Sequence, residues 1–134
     1  MSQTVDTAFL RASDLFEHQS EEVVRPVLAQ GRIEAFGAGH VVFRQGDAGD
    51  RLYIVKSGVL EVLASRDGAD SVPIAYLGEA EVLGELALLT GSPRSATARA
   101  PERAEVLTLE KYVFFDQMAS LPLFAQGLGR VLRR

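Results

Sequence analysis

Glycine, proline and aspartate cut the middle of this chain into short pieces: Gly37, Gly39, Gly46, Gly49, Gly58, Asp67-Gly68, Gly78, Gly84 and Gly91-Ser92-Pro93 follow one another at close intervals. Between the breaks lie β-prone runs, HVVFRQ, RLYIVKSG, VLEVLAS, PIAYLG, SATARA and EVLTLEK. Several short strands with turn signals at such spacing predict a β-sandwich or barrel. Within VLEVLAS the alternation predicts Leu60, Val62 and Ala64 on one face of a strand, with Glu61 and Ser65 on the other.

The two ends follow a different period. In SEEVVRPVLAQG, Ser20 is placed to cap a helix whose first turn carries Glu21 and Glu22. Val23, Val24, Val27 and Leu28 form its apolar stripe, which stops at Gly31. Pro26 lies inside that pattern and is expected to kink the helix or keep it short. KYVFFDQMASL predicts a second helix up to Pro122, and Leu123, Phe124, Gly127, Leu128, Val131 and Leu132 mark one face of a third. The expected fold is mainly β: an eight-stranded β-roll (a double-stranded β-helix or jelly roll) over about 33–110. Short α-helices flank it, over about 8–30 and 111–134, in one domain spanning 1–134. A chain of 134 residues buries roughly two-thirds of its unfolded surface and needs no covalent staple.

Composition removes several function classes. With no cysteine, disulfides, thiolate zinc sites and iron–sulfur clusters are excluded, and the chain suits a reducing cytoplasm. No apolar run approaches the roughly 20 residues of a membrane span, and the N-terminus lacks the apolar block of a secretory signal. Net charge is −4 with no basic face, which argues against direct nucleic-acid binding. His18 and His40 lack acids at ligand spacing, so a metal site is not expected. Asp47 and Asp50 in GDAGD fit turn-forming residues better than calcium ligands.

The run GELALLTGSPRSATARA, Gly84 to Ala100, breaks the β pattern. Glu, Leu and Ala favour a helical turn near 85–89, closed by Gly91-Ser92-Pro93. The start of such a turn leaves backbone N–H groups without partners and attracts an anion. Arg94 then offers a planar fork of donors suited to a phosphate. One guanidinium with helix N–H groups balances about one negative charge. A triphosphate would call for lysine and a divalent metal, and the segment has neither these nor a GxxxxGK[ST] loop. A phosphodiester fits, and a ribose beside it would present a hydroxyl to Glu85.

This run resembles the phosphate-binding cassette of the cyclic nucleotide-binding domains, shared by catabolite-activator-type regulators, cyclic-nucleotide-gated channels and the regulatory subunits of cyclic-nucleotide-dependent kinases. The likeness covers about residues 15–120, since FGAGHVVFRQGDAGDRLYIVKSGVLEVL is similar to the family's opening strands. The resemblance implies that Glu85 accepts the ribose 2′-hydroxyl and that Gly84 allows close backbone approach. It implies further that Leu86 and Ala87 turn N–H groups to the phosphate, that Arg94 pairs with it, and that Ser95 adds hydrogen bonds. The implied function is that of a sensor or regulatory module for a cyclic purine mononucleotide, cAMP favoured over cGMP, with no other cofactor. Binding is expected to draw Leu86 and Leu89 inward and repack them against C-terminal helices around Phe114 and Phe115.

The last segment departs from the family, whose final helix usually extends further and caps the purine. Here the sequence stops at Arg134 and Gly127 and Gly129 weaken the helix, so no base-capping residue is assigned. The effector is expected to be another chain or a further part of the natural protein, with homodimer formation left open. Two other readings compete: an enzyme on the same roll, for which the histidine inventory is too small, and an orphan roll used for protein interaction or dimerisation without nucleotide.

Overall fold

The computed structural model describes residues 7–65, 71–120 and 122–132, with side chains described outside 118–125. The Asp67-Gly68 turn and the side chains of Leu123 and Phe124, singled out from the sequence, lie outside that set.

Among the described residues eight strands form two four-stranded antiparallel sheets: β1 (Arg32–Phe36), β2 (Val41–Phe43), β3 (Arg51–Ser57), β4 (Leu60–Ala64), β5 (Val72–Leu77), β6 (Val82–Leu83), β7 (Thr97–Arg99) and β8 (Ala104–Glu110). One sheet runs β1-β8-β3-β6 and the other β2-β7-β4-β5. The expected mainly-β roll with short helices at both ends is therefore the observed fold. Gly58 makes the sharp β3–β4 turn at φ 81°, where a Cβ would lie 2.8 Å from the Arg103 carbonyl oxygen. Only glycine reaches that backbone region without strain.

In the β1-β8-β3-β6 sheet, β8, β3 and β6 are buried on both faces, while the edge strand β1 is largely exposed. Tyr53, Val55, Leu83 and Val106 point into the roll and pack with Leu60 and Ala98 of the opposite sheet and with Ala100 just after β7. Leu52, Ile54, Val82, Leu107 and Leu109 point outward into a second cluster with the helices. Alternate residues of one strand thus serve two cores, which a pleat of period two makes possible.

Helices α1 (Ala8–Ala12) and α2 (Glu21–Gln30) cover that outer face from the N-terminal side. The Ser20 hydroxyl accepts from the Val23 N–H at 3.4 Å, and Val24, Val27 and Leu28 are buried, as capping and periodicity predict. Helix α2 continues for four residues past Pro26, which is exposed. The proline costs the Glu22 carbonyl its helical donor, a loss that water can offset on the solvent side. From the other end α4 (Lys111–Ser120) and α5 (Pro122–Leu132) pack into the same cluster. There Phe114 and Phe115 meet edge to face, 5.2 Å between centroids.

Strand β4 does not keep the simple alternation. The β4–β5 register shifts between Val62 and Leu63, so Leu60 and Leu63 are both buried while Val62 is only partly so. Glu61, expected on the solvent face, is 7% exposed because Arg99 across the β4–β7 pair binds it at 2.8 Å. A bulge re-aims the side chains beyond it, and a cross-strand ion pair lets a carboxylate be covered.

Candidate functional site

The segment at Gly84 forms helix α3 (Glu85–Thr90), six residues between two glycines in left-handed conformation, Gly84 at φ 93° and Gly91 at φ 71°. The Gly91 N–H closes the helix on the Ala87 carbonyl at 2.9 Å. Ala87 and Leu88 are buried, and Leu89 packs against the helical cluster. Leu86 is 55% exposed.

Arg94 lies at the centre of the site. Its residue exposure is 4%, unusual for a guanidinium. Nη1 donates to the Gly84 carbonyl at 3.0 Å and Nη2 to the Arg51 carbonyl at 2.7 Å. Nε is buried and makes no hydrogen bond among the described residues. Cζ stands 4.3 Å from the centroid of the Phe43 ring and 5.6 Å from that of Tyr53. Burial lowers the Arg94 pKa below its ordinary value, and the opposing pull of Tyr53, Asp50, Glu85 and Asp47 does not offset this. A buried charge held chiefly by carbonyl dipoles is costly to the fold and gains from an incoming anion.

The Gly84 and Arg51 carbonyls hold the side chain, and a third stretch holds the main chain of Arg94. The turn after β2 is tied to the Arg94 backbone by the Gly46 N–H donating to the Arg94 carbonyl and the Arg94 N–H donating to the Asp47 carbonyl, both at 2.8 Å. The Asp47 carboxylate accepts from the Arg44 N–H at 3.0 Å, the turn role expected of it. Asp50 instead lies 4.0 Å from the Arg51 guanidinium, and its carbonyl accepts from the Lys111 N–H at 3.0 Å, where α4 begins. Glycine is required twice by close approach. A Cβ on Gly84 would lie 2.6 Å from Arg94 Nη1, and one on Gly49 would lie 2.3 Å from the Ala87 Cβ.

All six residues singled out from the sequence, Gly84, Glu85, Leu86, Ala87, Arg94 and Ser95, line one cavity of about 780 Å³, within the size range of small-ligand sites. Phe43, Val62, Leu83 and Val131 share its wall. Ser95 is exposed there and Glu85 partly buried. Sequence reasoning missed Phe43, Tyr53 and Gly49 as parts of the site, because each is brought to Arg94 by contacts across the roll. It also gave α5 no place at the cavity, whereas Val131 contributes to the wall. Gly127, taken from the sequence as a weakness in the helix, is where α5 comes down onto the N-terminal turn: a Cβ there would lie 2.0 Å from the Asp14 carbonyl oxygen. Arg130 donates to that same carbonyl at 3.0 Å and lies 3.3 Å from the Glu17 carboxylate. His18 and His40 are both exposed and away from the cavity.

No helix among the described residues is long and apolar enough to cross a membrane. The cyclic AMP receptor protein of Thermus thermophilus is 34% identical over 125 residues, covering 93% of this chain and 58% of that protein. The crystal structure of Thermus thermophilus catabolite activator protein matches with a TM-score of 0.84 and 34% identity, over 91% of this chain and 57% of that one. The regulatory domain of Toxoplasma gondii PKA, crystallised with cAMP, matches with a TM-score of 0.72 and 26% identity, over 90% of this chain and 54% of that one. The chain therefore spans little more than half the length of these relatives. The family model for the cyclic nucleotide-binding domain matches residues 33–120, and the chain belongs to that family.

Proposed function

We propose that this domain is a cytoplasmic sensor of a cyclic purine mononucleotide, cAMP in preference to cGMP, and that it moves its C-terminal helices when the nucleotide binds. The observation that carries the reading is Arg94: a buried guanidinium fixed at a cavity wall that also holds Glu85. The single negative charge of a cyclic phosphodiester matches one such cation, and the pairing gains strength from the low dielectric of the site. Leu86 and Ala87, in the first turn of α3, have N–H groups without intrahelical acceptors, available to the phosphate oxygens. Glu85 accepts the ribose hydroxyl, Gly84 keeps the backbone close, and the Ser95 hydroxyl adds a donor at the mouth.

The preference for cAMP is supported by the relatives, one crystallised with cAMP and another named for it. Helix movement is supported by position. Leu89 of α3 packs against the cluster that contains Phe114 and Phe115, Val131 of α5 lines the cavity, and the exposed Leu86 has room to move. A ligand that binds better with the helices in one of two placements shifts their population by that difference. The output then passes to another chain or to a further part of the protein.

Calorimetry with cAMP and cGMP tests the reading: saturable binding is expected, tighter for cAMP. Absence of binding of either at high micromolar concentration overturns it and leaves a roll that acts by protein interaction. Hydrogen exchange across 111–132 that is unchanged by ligand overturns the helix movement alone.

A further inference from the structure

The hydrogen bonds to Arg94 fix the guanidinium edgewise. Nη1 and Nη2 are each tied to one main-chain oxygen, which sets where the group lies in its own plane and leaves its broad faces unaccounted for. Phe43 stands against one of them, with Cζ 4.3 Å from the ring centroid. Behind it Tyr53, 5% exposed, sits with its ring 5.6 Å from that of Phe43 and from Cζ. Phe43 is half-buried on β2, a strand joined to β7 close to Arg94, and it lines the same cavity. An aliphatic residue could fill the same space. An aromatic ring does more, because its electron-rich face attracts a cation and does so most strongly where water is excluded.

We infer that Phe43 is a positioning residue for anion recognition, its ring face holding the Arg94 guanidinium desolvated and turned to the cavity before any ligand arrives. The inference rests on the proposed role of Arg94 as the phosphate partner. Without the ring the guanidinium regains water and alternative rotamers, and an incoming anion must then reverse both changes, which weakens binding. The two carbonyl bonds alone do not prevent this, since both can be made with the group rocked about the Nη1–Nη2 edge.

The test separates ring electronics from ring shape. Phe43→Leu is expected to weaken cAMP binding by about five- to thirtyfold, the range of a partly desolvated cation–π contact, while Phe43→Tyr retains most of the affinity. Replacing Phe43 by mono-, di- and trifluorinated phenylalanine keeps the shape but drains the ring face, so the logarithm of the dissociation constant should rise steadily with fluorine count at an unchanged Tm. Affinity that is flat across the fluorinated series overturns the inference even if Phe43→Leu is impaired, because packing alone then explains the loss. A readout without ligand is the Arg94 Nε–H resonance of the free protein, expected to be slow in hydrogen exchange in the wild type and in Phe43→Tyr and fast in Phe43→Leu. Equal exchange rates in the three proteins overturn the positioning. If the wild type binds neither cAMP nor cGMP, the proposed function fails and the affinity claim falls with it, while the Nε–H exchange still decides whether Phe43 holds Arg94.

Discussion

Arg94 and Arg99 lie five residues apart on one stretch of chain, yet their surroundings are opposite. Arg99 reaches across to Glu61 at 2.8 Å, keeps 41% of its side chain in solvent, and completes a pair on the outward face of the β2-β7-β4-β5 sheet. Arg94 turns inward, is 4% exposed, and is gripped by two main-chain oxygens beside an open cavity. The first region has its charge answered within the fold. The second keeps a cation where solvation is poor and leaves room beside it, an arrangement that favours a charged visitor over folding stability. Chemical type alone therefore does not set Arg94 apart from Arg99; what the fold places around each guanidinium does.

The contrast can be broken by exchanging the consequences of losing each residue. Arg94→Met is expected to lower cAMP affinity by about a hundredfold, in line with the ~1.5–3 kcal/mol of a buried charge-assisted hydrogen bond, as read by calorimetry. Arg99→Met should leave that affinity within about threefold, yet it strands Glu61 in a covered position. It should cost about 1–3 kcal/mol of stability in a urea titration. If Arg99→Met impairs binding as severely as Arg94→Met, the division between the two regions is wrong.

Gly84→Ala sharpens the comparison from the side of the holder. Its backbone sits at φ 93°, and the added Cβ would lie 2.6 Å from Arg94 Nη1. A stability loss of about 1–2 kcal/mol is expected from the left-handed conformation alone, together with at least a tenfold loss of affinity as Arg94 is displaced. A variant of full affinity would show that the guanidinium is not tightly seated. The smallest effect belongs to Glu61→Gln, which keeps an acceptor for Arg99 and removes only the charge. Since Arg99 is partly solvated, about 0.5–1 kcal/mol is expected, visible as a small fall in Tm with unchanged ligand affinity.

The legible features of this sequence were the local ones. Gly84, Glu85, Arg94 and Ser95 lie within one short run whose spacing carries a chemical pattern, and the structure brings them to one cavity wall. Turn residues likewise mark the ends of most strands. Less visible were the two-residue β6, too short to establish any alternation, and β1, whose RIEAF run sits against a helix terminus. The bulge in β4 was hidden because VLEVLAS alternates well enough on its own, and only pairing with β5 shifts the register. Phe43, Gly49 and Tyr53 join the site through contacts 51, 38 and 41 positions along the chain. No periodicity within a run encodes such a meeting.

The two oxygens that grip Arg94 belong to the peptide backbone of Gly84 and Arg51 rather than to side chains. Acceptors of that kind persist through any amino-acid replacement that preserves the path of the chain. Over evolutionary drift, the identity of residue 51 is thus free to vary without dismantling the grip. Selection should fall instead on residue 84, whose lack of a side chain keeps the path open.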